Sequence, residues 1–184
     1  MSVIERASAL TRFRSSRGGS ALLDEVFLGE LRQYCGAGDV VSSFMERAGG
    51  LLGIGGVFSA GSAVFGAGVT ALRLTRERVW LASESGVELP RGLDEISGGL
   101  YRADLVAGYV CLRVSGAELL QGGLALDLER AAGGEVWQSR MFRVGVVVVC
   151  HGAGEFSLLV PRSYGGHIWE HLVTLAGDGG EGEG

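Results

Sequence analysis

The segment His167-Ile168-Trp169-Glu170-His171 carries the residue types and spacing nearest to catalytic chemistry. Residues at i and i+4 share a helix face, so both imidazoles can ligate zinc while Glu170 serves as general base to a metal-bound water. Such a site needs one more protein ligand, and the acids that follow are Asp178, Glu181 and Glu183, in a Gly-rich end. On an amphipathic helix the same residues read as a polar face opposite Ile168 and Leu172. Cys150-His151 sets a thiol beside an imidazole, yet neighbours on a strand point to opposite faces, so the two do not make a nucleophile–base dyad. Gly66-Ala67-Gly68-Val69-Thr70-Ala71 has GxGxxA spacing behind the apolar Ala63-Val64-Phe65, with Glu88 22 residues after Gly66. Glycines so spaced let a pyrophosphate approach a helix N-terminus. No GxSxG elbow occurs, and Asp24-Glu25 and Asp94-Glu95 read as helix-start or loop charges.

Three resemblances follow from these and neighbouring residues. The H-x-x-E-H order at His167, Glu170 and His171 resembles the insulysin-type zinc metalloproteases, which implies zinc and a glutamate base. The chain departs from that family in scaffold size and in its downstream carboxylate ligand. Gly66–Ala71 resembles the Rossmann fingerprint, which implies a dinucleotide, but no second βαβ unit follows. Leu72-Arg-Leu-Thr-Arg-Glu-Arg-Val-Trp-Leu81, Leu93-Asp-Glu-Ile96 and the passage from Phe156 to Leu172 look like the spacing of PH/GRAM-type domains. That resemblance implies a β-sandwich with a C-terminal helix that binds lipid head groups or peptides, and it leaves the Gly-rich run without a counterpart. The expectation is no catalytic residue, no cofactor and no resident metal, with His167, Glu170 and His171 as the residual metal candidates.

The Gly-rich run is Ala48 to Leu72, which holds eight glycines and no charge. As one soluble helix it would cost about 1 kcal/mol per glycine relative to alanine, about 8 kcal/mol in all. That rivals the roughly 5–15 kcal/mol stability of a whole domain. Leu51 to Leu72 is long enough to cross a bilayer, and Gly49-x-x-x-Gly53 is a small-xxx-small pair. Arginine on both flanks, Arg47 and Arg73, gives no orientation signal. The preferred reading is a pair of extended segments with bends at Gly55-Gly56 and Gly61. They would be packed in a core or against a partner through Leu51, Leu52, Ile54, Val57, Phe58, Val64, Phe65 and Val69.

Composition narrows the function classes. The chain has 184 residues, 47% hydrophobic and 20% charged, with a net charge of −5. This is a globular balance, and it argues against a dedicated nucleic-acid binder except through Arg6, Arg12, Arg14 and Arg17. All 16 basic residues are arginine and asparagine is absent. No Walker P-loop lysine, Schiff-base lysine or N-glycosylation sequon exists. Glycine (33) far exceeds proline (2). That skew points to a G-rich coding strand or an overlapping reading frame, as in small viral genomes. Cys35, Cys111 and Cys150 are too few and too scattered for a disulfide framework, so a reducing compartment is expected. The N-terminus has no apolar h-region; its Arg and Ser content with one acid also suits a transit peptide.

The pattern along the chain predicts a flexible arm over 1–19, one α+β domain over 20–176 and a disordered acidic tail over 177–184. Leu22, Val26, Leu28 and Leu31 suggest a helix capped by Ser20, and Asp39 to Arg47 a second, with Asp39 as N-cap and Val40 and Phe44 on one face. A hairpin is expected across Arg76-Glu77, with a helix over 70–86 as the rival, then loop or edge structure over 86–99. Strands follow over 105–114, 124–128, within 137–150 and over 155–160. A helix from Tyr164 to Leu175 closes, with Ile168, Leu172 and Leu175 as its apolar stripe. The expected fold is α+β: N-terminal helices, a mostly antiparallel sheet in the second half and a C-terminal amphipathic helix. The expected function is a non-enzymatic, cytoplasmic binding or self-assembly protein that joins a protein partner or a second copy through the Gly-rich segment. The alternatives are a virus- or phage-encoded structural or accessory protein in the virion or host cytoplasm, a membrane-associated protein inserting 51–72, and, last, a zinc hydrolase using the H-x-x-E-H residues.

Overall fold

Val144-Gly-Val-Val-Val-Val149 is apolar without alternation, and such a run needs apolar cover on both faces of its sheet. The computed structural model, which describes residues 16–18, 21–55 and 59–178, provides it. Arg6, Arg12, Arg14, Val57, Phe58, Glu181 and Glu183 lie outside the described residues, and so do most of the 1–19 arm and all but 177–178 of the tail.

One sheet has the order β1 (Ser16–Gly18), β2 (Ala21–Val26), β8 (Tyr109–Ser115), β11 (Glu155–Pro161), β10 (Val144–Gly152) and β9 (Val136–Met141). The other has the order β4 (Ser62–Phe65), β5 (Val69–Thr75), β6 (Arg78–Glu84), β3 (Leu28–Cys35) and β7 (Tyr101–Asp104). Every neighbouring pair is antiparallel. The helices are α1 (Gly38–Leu52), α2 (Gly92–Ile96), α3 (Ala117–Gln121) and α4 (Gly165–Asp178).

Alternation along the strands sorts the core into three layers. Val144, Val146, Val148 and Cys150 of β10 pack with Ile168, Trp169 and Leu172 of α4. Val147 and Val149 turn the other way and meet Leu31, Leu72 and Trp80 of the second sheet. On that sheet's far face, Tyr34, Val79 and Leu81 pack with Phe44, Met45 and Ala48 of α1. The result is helix, sheet, sheet, helix. The sheets join along one side, where Ala63 N–H donates to Gly134 O at 2.6 Å and Val136 N–H to Gly61 O at 2.8 Å.

The α+β class, the antiparallel texture and the C-terminal helix agree with the sequence reading, and so does the hairpin: β5 and β6 turn at Arg76-Glu77, and no helix spans 70–86. Several elements differ; the strand expected over 105–114 begins only at Tyr109, after a 3-10 turn at Val106–Gly108. Residues 21–35 are strands β2 and β3, not a helix, because strands covered on both faces hide their two-residue period and leave a spacing that mimics 3.6. The helix expected over 39–47 runs on to Leu52, starts after Ala37 without a side-chain cap, and ends at Gly53 with φ 64°. A short helix, α2, interrupts the loop expected over 86–99. Residues 124–128 form no strand; Leu124 and Leu128 are buried plugs beneath α4 in an irregular segment.

The Gly-rich run is broken, as its glycine content requires. It supplies the end of α1, a connection, β4 and the start of β5. Among the described residues no helix is long and apolar enough to cross a membrane.

Candidate functional site

Where the sheets splay apart at the β9–β10 end, a cleft of about 890 Å³ opens between them. Trp80 on β6 and Tyr109 on β8 meet edge to face at 5.1 Å between ring centres and form its back wall. Trp80 is 4% exposed, and its Nε1–H donates to Gln33 Oε1 at 2.9 Å, which fixes the indole. Arg162 Nε–H donates to Ala107 O at 2.9 Å and ties the start of β8 to the end of β11. Val147 and Gly145 of β10 supply the floor. Gly145 is exposed, and a Cβ built there would meet nothing within 4 Å.

The mouth is set by the two-residue turn between Met141 and Val144, which are paired across the hairpin. Phe142 has φ 47° and Arg143 φ 70°. Two-residue hairpin turns of this hand favour Asn-Gly because both central residues need positive φ. A non-glycine residue there costs about 1–2 kcal/mol, and such strain concentrates at functional sites. The surroundings hold Phe142 in place. Its ring stacks on His171 at 4.4 Å and 28°, and it passes so close to Gly123 that a Cβ there would lie 2.7 Å from Phe142 Cζ. Arg143 is thereby presented at the cleft, with Arg78, Tyr164 and His167 also in the lining. Among the described residues no Asp or Glu lines the cleft, and neither Arg78 nor Arg143 forms an ion pair. The site can therefore take a planar ring against Trp80 and Tyr109 and an anionic group at its arginines.

The H-x-x-E-H residues sit beside this mouth. His167 and His171 meet edge to face at 4.5 Å, but His171 is engaged by Phe142. Among the described residues no group of three His, Cys, Asp or Glu is placed to hold a metal. Cys150 and His151 point to opposite faces: Cys150 Sγ–H donates to Ala131 O at 3.8 Å on the helix side, while His151 Nε2 meets Ser157 Oγ at 2.8 Å between the sheets. Gly66 and Gly68 open no helix; they form the β4–β5 turn, closed by Gly66 N–H to Val69 O at 2.8 Å. Cβ atoms there would strike Ile54 Cγ2 at 2.6 Å and Val87 Cγ2 at 2.9 Å, so protein side chains fill the space a pyrophosphate would need.

Of the expected contact residues, Leu52, Ile54 and Val69 are buried around α1 and Val64 packs against them. Leu51, near the end of α1, is 45% exposed, and Phe65, at the end of β4, is 40% exposed. The cleft residues Arg78, Trp80, Tyr109, Phe142, Arg143 and Tyr164 were not among the sequence candidates. One signal pointed to them: the stretch over 137–150 is too long for one strand, and the turn it must contain has neither Gly nor Asn.

No protein-family model matches the chain, and no curated protein matches it. Solved structures do. The chain is similar to a chain of the heterotetrameric sarcosine oxidase from Corynebacterium sp. U-96, solved in complex with pyrrole 2-carboxylate, with TM-score 0.77 and 19% identity over 93% of this chain and 91% of that one. It is also similar to the glycine cleavage system aminomethyltransferase T from Bartonella henselae, with TM-score 0.60 and 14% identity over 82% of this chain. It spans 45% of that protein. These likenesses are likenesses of fold. Both neighbours are enzyme components, which corrects the reading as a non-enzymatic binding or self-assembly protein and the viral and membrane-inserting alternatives. The viral reading rested on codon skew, which reports nucleotide bias and not fold. The membrane reading rested on a length of apolar chain that the fold cuts into helix end, loop and strands.

Proposed function

We propose that this chain is a subunit of a heteromeric enzyme acting on small amines of the sarcosine type, and that its own part is to hold a planar, anionic ligand in the β9–β10 cleft. The observation that carries the ligand reading is the pairing of Arg78 and Arg143, free of carboxylates, with an aromatic wall fixed by Trp80 and Tyr109. The subunit reading is supported by a fold likeness that runs through nearly all of both chains, one of them drawn from a heterotetramer. The cleft takes its lining from both sheets, so residues 20–176 act as one functional unit. The cysteines are all free, in keeping with a reducing, cytoplasmic setting.

Two measurements test this. The tagged chain, expressed in its own cell, is expected to co-purify in fixed stoichiometry with partner subunits and sarcosine-dependent oxidase activity. Purification as a lone chain without that activity would sink the subunit reading. Titration with naphthoate, followed by tryptophan fluorescence, is expected to quench Trp80 saturably. No quenching in the wild type, or equal quenching after Arg143→Ala, would sink the ligand reading.

A further inference from the structure

At the other end of the inter-sheet layer, away from the cleft, lies a second and much smaller gap of about 50 Å³. It has room for about four water-sized occupants. Its apolar walls are Val26, Leu28, Leu72 and Leu159, and its polar end holds Arg113 of β8 and His151 of β10. We propose that this gap binds a small monocarboxylate of formate or acetate size, with Arg113 as the counter-charge and the His151–Ser157 pair beside it.

The guanidinium carries the proposal. Arg113 Nε is sealed from solvent and has no hydrogen-bond partner among the described residues. Arg113 as a whole is partly exposed, but a buried N–H donor is ordinarily paired, because leaving it unmatched forfeits its hydration. Asp24 stands opposite Arg113 in the β2–β8 register, but its Oδ1 accepts from Glu25 N–H at 2.9 Å and it forms no ion pair with Arg113. The ion pairs among the described residues involve Arg32, Arg102 and Arg130, not Arg113. Beside it, Ser157 is 6% exposed, meets His151 Nε2 at 2.8 Å, and is within hydrogen-bonding reach of the buried Cys111 thiol. Phe65 covers the imidazole at 4.8 Å between ring centres. An anion in this half-open gap reaches the buried Nε–H of Arg113 between apolar walls, where it can accept a charge-assisted hydrogen bond.

The surrounding charges narrow the ligand. Glu84 lines the gap from β6, Glu155 faces His151 from β11, and Glu25 faces Cys111 from β2. These acids repel a dianion and leave a monoanion as the match. Burial, and then Arg113, hold His151 below the usual imidazole range. A bound carboxylate offsets the second cause, so binding and proton uptake by His151 are coupled, and affinity rises as pH falls.

The test is an NMR titration of the full-length isotope-labelled chain with sodium acetate or formate, against sodium chloride at matched ionic strength. The expected result is a saturable, millimolar-range shift of the Arg113 Nε–H and His151 ring signals and an upward displacement of the His151 titration. Arg113→Gln should abolish both. Benzoate, too large for the gap, should leave both signals where chloride leaves them, and this comparison decides the matter in the wild type should the variant fail to fold. Acetate and formate behaving as chloride does, or benzoate matching acetate, would overturn the proposal. Gly145→Val, which fills the distant cleft, should leave the acetate response intact, so this site and the cleft fail or stand separately.

Discussion

Substitutions at Arg143 separate the strain stored in the β9–β10 turn from the charge that the turn presents. Arg143 has φ 70°, which costs a residue with a Cβ about 1–2 kcal/mol. Glycine adopts this conformation freely but loses about 0.5–1 kcal/mol more than alanine in chain entropy on folding. Arg143→Ala removes the guanidinium and keeps the strain; Arg143→Gly removes both. The glycine variant should therefore be the more stable of the two, by roughly 0–1.5 kcal/mol and about 0.75 kcal/mol at the centre. For a chain of this size the central value is about 1.5–3 °C in Tm, measurable by thermal unfolding and by the urea midpoint. Both variants should lose one charge-assisted hydrogen bond, about 1.5–3 kcal/mol, and so bind naphthoate about 10- to 150-fold more weakly. An alanine variant clearly more stable than the glycine variant would refute the strain. Unchanged naphthoate affinity in both would refute the role of Arg143 in the cleft.

Three further outcomes are expected. Gly145→Val places a branched side chain in open cleft space, so naphthoate affinity should fall at least tenfold while the urea midpoint stays close to wild type, as judged by titration and unfolding of the same sample. Gly66→Ala drives a Cβ to 2.6 Å from Ile54 Cγ2 and should cost about 1–3 kcal/mol; a double-mutant cycle with Ile54→Ala should recover part of that loss, and strict additivity would contradict the contact. His151 is held below its ordinary value by burial and then by Arg113, so the unfolded chain binds its proton first. Stability attributable to His151 should thus be full above about pH 6.5, fall as pH drops toward the lower folded value, and level off below it. Urea midpoints between pH 5 and 8 (roughly the range where histidine titrates) should lose this component in His151→Gln, and an identical pH slope in that variant would dismiss it.

The strands and the cleft differ in how far they could be read from the chain. The β5–β6 hairpin was legible because Leu72–Thr75 and Val79–Ala82 flank a polar Arg76-Glu77 pair, a local signal. Residues 21–35 were not, because their apolar positions serve three different cores: Leu23 faces the α4 layer, Leu31 the inter-sheet layer and Tyr34 the α1 layer. A periodicity argument assumes one buried face and fails where a strand has two. The H-x-x-E-H and GxGxxA spacings were legible as text, but their chemistry depends on a third ligand or a following helix, and neither is in place among the described residues.

By itself the sequence determined that the Gly-rich run could not be one soluble helix, since each glycine adds a backbone penalty that no local contact offsets. It also determined that Ile168, Leu172 and Leu175 bury one stripe of a closing helix, and that chemistry requiring lysine is excluded. Those conclusions rest on composition and on spacing within one element. Only the tertiary structure decided that Arg78 and Trp80 from β6 stand across from Tyr109, Gly145 and the Phe142-Arg143 turn. It also decided that Arg113 ends beside His151 at the other end of the same layer. Both sites are made by two sheets packed face to face, and sheet-to-sheet packing joins residues up to dozens of positions apart through burial that no local pattern encodes.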